Sequence, residues 1–173
     1  MISVLIINYN TAKVIKRTID SVLKQNGVEF KLLVLDNNSP DNSVEILKSF
    51  GDDIDLIINE KNVGYGKGVN LLFKKVTTPY IYLLNPDAWL KQDDLLARLV
   101  DYMEKNPQYG IITTDMLNEQ GEREFDPYEG VYIGERHLKH PLPELPGNIS
   151  WVFGATMAIP SHVFREINGF DED

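Results

Sequence analysis

Ser3-Val4-Leu5-Ile6-Ile7-Asn8-Tyr9-Asn10 is an apolar run too short for a helix that ends abruptly in polar side chains, and the rest of the chain repeats its form. An uninterrupted apolar run of this length is what a strand buried on both faces of a parallel sheet requires. Lys31-Leu32-Leu33-Val34-Leu35 runs into Asp36-Asn37-Asn38-Ser39, residues 55–58 run into the polar, glycine-rich stretch 59–68, and residues 80–84 run into Asn85-Pro86-Asp87. The runs at 3–7, 31–35, 55–58 and 80–84 are therefore expected to be strands.

Helical spacing fills the intervals. Val14, Ile15, Ile19, Val22 and Leu23 recur on one face, with Asn10 or Thr11 as N-cap and Gly27 as the stop. A second helix follows Ser39-Pro40-Asp41, where Asn42 and Glu45 are spaced as a capping box, and ends at Gly51. A third carries Val69, Leu72, Phe73 and Val76, and a fourth carries Leu95, Leu96, Leu99, Val100 and Met103 before Asn106-Pro107. These stripes read as core packing. Strand and helix in alternation predict an α/β domain with a Rossmann-like, mostly parallel sheet and helices on both faces. A fifth apolar run at 110–113 precedes an irregular, charged stretch over 115–148, where Pro127, Pro141, Pro143 and Pro146 recur; its length marks a functional or mobile loop. Regular structure resumes in a strand-like segment at 149–159, and Ser161 opens a short helix that ends near Asn168-Gly169.

The 173 residues fit one domain, large enough to bury roughly 70% of the surface its unfolded chain exposes. With 17 basic against 26 acidic residues the net charge is −9, which opposes broad contact with a nucleic-acid backbone or an anionic bilayer. Cysteine is absent, so there is no disulfide framework, thiol nucleophile or thiolate metal site. No apolar run approaches the roughly 20 residues of a membrane helix, and the first residues read as a strand without a basic leader. The final Gly169-Phe170-Asp171-Glu172-Asp173 reads as an unfinished phrase, from which truncation at the C-terminus is expected.

In an open parallel sheet, ligands bind outside the carboxyl ends of the strands, where this chain places its polar clusters. Asp36 stands where a carboxylate accepts from a nucleobase or a ribose hydroxyl, and Asp-Asn-Asn-Ser is equally good turn chemistry. Asn62-Val63-Gly64-Tyr65-Gly66-Lys67-Gly68 brings backbone N–H groups and Lys67 towards a phosphate, or forms a plain turn into the third helix; it lacks the P-loop pattern. Asp87, beyond a rigid proline, suits a hard cation that takes one or two carboxylates plus substrate phosphates, or caps the segment that follows. His137 and His140 are spaced like a helical ligand pair but lie in a proline-broken stretch with no further Cys or His nearby, which disfavours zinc.

Taken in order, Val4-Leu5-Ile6-Ile7-Asn8-Tyr9-Asn10, Val34-Leu35-Asp36-Asn37-Asn38-Ser39, Asn62-Val63-Gly64 and Leu84-Asn85-Pro86-Asp87 resemble the family 2 glycosyltransferases of GT-A fold. The resemblance is nearest to a rhamnosyltransferase-like branch, in which Asn-Pro-Asp replaces Asp-x-Asp, and it continues through Trp151 to Met157 and Gly169 to Glu172. It implies that Ile7, Asn8, Tyr9 and Asp36 hold the nucleobase and ribose of a sugar nucleotide, and that Asn62, Gly64 and Asn70 lie near the nucleotide and donor sugar. It implies Mg²⁺ or Mn²⁺ at Asp87 with Asn85 close by, and Trp151, Gly154 and Ala155 bordering the sugar and acceptor space. Residues 1–114 become a nucleotide-binding half and 115–173 the start of an acceptor-side half. The implied reaction is inverting transfer to a glycan or lipid-linked acceptor, with rhamnose from dTDP-rhamnose as the donor suggested by Asn-Pro-Asp; the expected location is cytoplasmic, with the inner face of the membrane as a peripheral alternative. The catalytic base is expected after Asp173; Asp171 and Glu172 are weak candidates. A non-catalytic nucleotide-sugar-binding module is the alternative. A nicotinamide-dependent oxidoreductase is disfavoured because residues 8–13 contain no glycine for its phosphate turn, and a nucleotidyltransferase calls for a glycine-rich, basic first loop.

Overall fold

The structure is a computed structural model that describes residues 1–118, 120–122 and 154–172. Five strands form one sheet in the order β3-β2-β1-β4-β5. β1 (Ile2–Asn8), β2 (Phe30–Asp36), β3 (Asp55–Ile58) and β4 (Tyr80–Leu84) are parallel, and β5 (Thr156–Pro160) runs antiparallel beside β4. All seven residues of β1 are buried, as its apolar run demanded. Alternate residues feed two cores. Val4, Ile6, Val34, Tyr82 and Leu84 meet α1 (Ile15–Leu23), α2 (Ser43–Lys48) and α4 (Leu95–Lys105) on one face. Leu5, Ile7, Leu33, Leu35 and Leu83 meet α3 (Tyr65–Phe73) and α5 (Ser161–Glu166) on the other.

Several local expectations give way to tertiary bonds. α1 begins at Ile15, not directly after Asn10 or Thr11, because Asn10 takes a positive φ of 57° and residues 11–14 form a turn first. It ends at Leu23, with Gly27 in the loop beyond. The Asn42–Glu45 capping box does not form; Asn42 makes no side-chain cap, and Asp41 instead accepts from the Ser43 and Ala12 N–H groups at 3.0 and 2.9 Å. The run at 110–113 builds no strand of its own and contributes a single antiparallel bridge, Ile112 to Ala158. The strand expected over 149–159 is observed at Thr156–Pro160, its first residues falling outside the described ones, as do His137 and His140. Among the described residues, no helix is long and apolar enough to cross a membrane.

The chain leaves β1 to build β2 and β3 on one side, then returns to place β4 on the other. The carboxyl ends of β1 and β4 therefore flank the point where strand order reverses, which is where such sheets open a crevice.

Candidate functional site

The loops above β1 and β2 are stitched together by a buried polar cluster. Register pairs Asn8 with Asp36, so the two side chains meet at the sheet's edge. Asp36 Oδ1 accepts from Asn8 Nδ2 at 2.7 Å and from Ser39 Oγ at 2.6 Å, while Oδ2 accepts from the Ser39 N–H at 2.9 Å. Asn8 also donates to Ser39 Oγ at 3.2 Å and accepts from Thr11 Oγ1. Both Asn8 and Asp36 are 0% exposed. For either to touch a base or ribose directly, these bonds would have to rearrange.

A second organiser is Asn37, which the sequence reading passed over as one of several turn residues. Its Oδ1 accepts from Asn59 Nδ2 at 3.1 Å and the Val63 N–H at 2.9 Å, and its Nδ2 donates to Asn62 Oδ1 at 2.9 Å and Gly64 O at 3.2 Å. All four hydrogen-bonding positions of the amide are thus used to hang the loop before α3 from the end of β2. Asn62 and Gly64 themselves stay exposed, as does Tyr9 at 47%. Ile7, at 6% exposure, turns into the core instead, and Gly68 allows it: a Cβ there would sit 3.2 Å from Ile7 Cδ1 and Cγ2.

α3 also binds the segment after α5. Asn70 Oδ1 accepts from the Phe170 N–H and its Nδ2 donates to Phe170 O and to Glu172 Oε1, each at 2.9 Å. Lys67 pairs with Glu172 at 3.1 Å. Asn70 is therefore spent on this tether, and the structure does not bring its amide to the open crevice. Hydrogen bonds from Asn70 and then Lys67 hold the Glu172 carboxyl below its ordinary 4.5, which makes it a poorer proton acceptor. Gly169 lets the segment approach: at its φ of +78° a Cβ would lie 2.3 Å from Asn70 Oδ1. Gly169→Ala is expected to cost about 2 kcal/mol of folding stability through left-handed strain and this clash, read as a lower midpoint in urea denaturation.

Across the crevice, Tyr65 Oη donates to Gly154 O at 3.5 Å, joining the start of α3 to the approach to β5. Gly154 is exposed and Ala155 half-buried, the latter accepting from the Asn85 N–H at 2.9 Å; Trp151 lies outside the described residues. Asp87 is exposed at the carboxyl end of β4, and no hydrogen bond or ion pair engages its carboxylate among the described residues. No group of three or more His, Cys, Asp or Glu side chains converges among the described residues. One free carboxylate at the edge of a crevice nonetheless suits Mg²⁺ or Mn²⁺, ions that complete their shells with water and substrate phosphates. Beside Asp87 opens a groove of about 810 Å³, bordered by Asn85, Trp89, Lys91, Asp115 and Asn118.

Residues 3–167 match Glycosyl transferase family 2. The chain is 24% identical to a processive diacylglycerol beta-glycosyltransferase of Mycoplasma genitalium over 97% of its own length and 53% of that protein. It is 31% identical to the Mycoplasma pneumoniae protein of the same name over 60% of its length and 32% of that protein. In structure it resembles residues 1–349 of S. aureus TarS (TM-score 0.71, 19% identity, 99% of this chain and 50% of that one). It resembles equally the mannosyltransferase PcManGT of Pyrobaculum calidifontis in complex with GDP-Man and Mn²⁺ (TM-score 0.72, 17% identity, 99% and 48%). The chain thus spans about half the length of the first of these relatives and of both structures. Its α/β sheet has the GT-A architecture, and with the family match covering nearly the whole sequence, the chain belongs to glycosyl transferase family 2.

Proposed function

We propose that the chain binds a nucleoside-diphosphate sugar in the crevice between the ends of β1 and β4, and that it forms the donor half of an inverting glycosyltransferase. The observation that carries this is Asp87, an exposed carboxylate without a partner among the described residues, at the strand-order reversal of a family 2 sheet. Tyr9 and Asn62, both exposed, are the groups available to a nucleobase and ribose; Asn8, Asp36 and Asn37 fix the loops that carry them. Asp87, with Asn85 beside it, holds Mg²⁺ or Mn²⁺. Such an ion offsets negative charge on the departing diphosphate.

In the transfer, an acceptor hydroxyl oxygen bonds to the anomeric carbon as the bond from that carbon to the diphosphate oxygen breaks, and a carboxylate takes the hydroxyl proton. Glu172, held by Asn70 and Lys67, is poorly suited to this. The groove beside Asp87 is the place for a glycan or lipid-linked acceptor, its Asn, Asp and Lys side chains matching hydroxyl-rich ligands.

The donor sugar is tested by calorimetric titration. TarS has a crystal structure in complex with UDP-GlcNAc and PcManGT a structure in complex with GDP-Man, so UDP-GlcNAc and GDP-mannose are the first probes. The rhamnosyl reading rests on Asn85-Pro86-Asp87 alone, finds no support in the named relatives, and is tested with dTDP-rhamnose. One of the three is expected to bind roughly 100-fold tighter with Mn²⁺ than without, a difference of about 2.7 kcal/mol. Binding of NAD with no response to any sugar nucleotide would overturn the reading.

A further inference from the structure

α1 turns a stripe of polar side chains inward. Thr18 is fully buried and Ser21, one turn on, is half-buried, while Gln25, two residues beyond the end of α1, continues the row at 6% exposure. Polar groups on a buried face need partners. Apart from two bonds within residues 18–25 themselves, Ser21 Oγ to Thr18 O at 2.7 Å and Gln25 Nε2 to Ser21 O at 3.5 Å, every partner is the backbone of one segment, residues 86–96, which carries Asp87 from β4 to α4. Thr18 Oγ1 donates to Pro86 O at 2.8 Å. Ser21 Oγ accepts from the Leu90 N–H at 3.0 Å. Gln25 donates to Gln92 O at 2.6 Å and accepts from the Leu96 N–H at 3.0 Å, serving an N–H in the first turn of α4 that Asp94 leaves uncapped. The Arg17 guanidinium stacks on the Trp89 ring at 3.4 Å.

Nothing that Asp87's own side chain touches fixes its place among the described residues. Its position is set by the peptides around it: the Asn85 N–H on Ala155 O, proline's locked φ, and Thr18 on the carbonyl that joins Pro86 to Asp87. A metal carboxylate must be held to within about 0.5 Å by its support.

We propose that the inward face of α1 is the seat of the metal-binding turn, with Thr18 the principal positioning residue for Asp87 and Arg17 its outer brace. This rests on the reading of Asp87 as the metal carboxylate.

The test measures the affinities of UDP and GDP by calorimetry with and without Mn²⁺, and takes the factor by which Mn²⁺ tightens binding. Thr18→Val keeps the side chain's shape but removes its donor; it is expected to cut that factor about 10-fold while metal-free affinity stays within about twofold of the native chain. Thr18→Ser, which restores the hydroxyl, should recover most of the loss. Arg17→Met, an exposed change that spares the core, should reduce the factor about threefold and serves if Thr18→Val proves too unstable to measure. A role confined to folding would weaken both affinities alike, and Thr18→Ser would then be no better than Thr18→Val. Either result, or an unchanged factor in both Thr18→Val and Arg17→Met, overturns the proposal. Asp87→Asn separates the two readings. If it keeps the full Mn²⁺ factor, or if the native chain has none with either nucleotide, the metal role falls and the positioning role with it; if it loses the factor while Thr18→Val and Arg17→Met keep it, only the positioning role falls.

Discussion

Asp87→Ala is expected to weaken sugar-nucleotide binding in the presence of Mn²⁺ by roughly 100-fold, about 2.7 kcal/mol, while leaving metal-free affinity and thermal stability almost unchanged. The asymmetry follows from its surroundings. Among the described residues its carboxylate has no intramolecular partner to lose, and substitution at an exposed position away from such contacts shifts stability by about 0.5 kcal/mol or less. For the proposed metal, in contrast, Asp87 is the central protein carboxylate, and among the described residues no group of three or more ligating side chains gathers that could replace it. Removing that carboxylate leaves only neutral ligands and the phosphates to hold the ion. Calorimetry with and without Mn²⁺, beside a melting curve of the same variant, checks both halves. A fall in melting temperature with Mn²⁺ dependence intact would make Asp87 a turn residue.

Asp36→Ala is expected to behave in the opposite way, losing about 3 kcal/mol of stability and roughly 10 °C in melting temperature. The substitution removes an acceptor of three hydrogen bonds at a site with no access to water, and Asn8, which is itself fully buried, loses its strongest partner. Asp36→Asn refines the test. Its oxygen can still serve Asn8 and the Ser39 hydroxyl, but its NH₂ then faces the Ser39 N–H, donor against donor. We expect this variant to be destabilised by about 1–2 kcal/mol and, at temperatures where it is folded, to bind sugar nucleotide within about threefold of the native chain. A loss of binding much larger than that would return Asp36 to direct contact with the nucleotide.

The two variants also mark where sequence reasoning reached its limit. Asp36 and Asp87 occupy the same kind of position, just after a buried strand, and each is open to the same two readings as ligand or turn residue. Ser39 lies three residues after Asp36 and closes back on it, which is the turn chemistry a local reading already allows. What local reading omits is Asn8, 28 residues away, which completes the burial. Asn70 follows the same pattern: the family resemblance places it near the donor sugar, but its amide is used by Phe170 and Glu172, 100 and 102 residues distant in the chain. Thr18, Ser21 and Gln25 attract no notice in the sequence, because polar residues on a helix or just past its end ordinarily face water. Only the docking of residues 86–96 against α1 and the turn after it gives them partners and buries Thr18 and Gln25.

The sequence by itself determined the alternation of strand and helix, the strands' parallel burial and the convergence of polar clusters at one sheet edge, since hydrophobic periodicity and chain direction are local properties that survive without knowing any partner. The tertiary structure decided which polar side chain at that edge is consumed and which is left over. A hydrogen bond between residues 28 or 100 positions apart leaves no periodic trace along the chain, so the partnered Asp36 and Asp87, which has no partner among the described residues, become different chemical groups only when the loops are brought together.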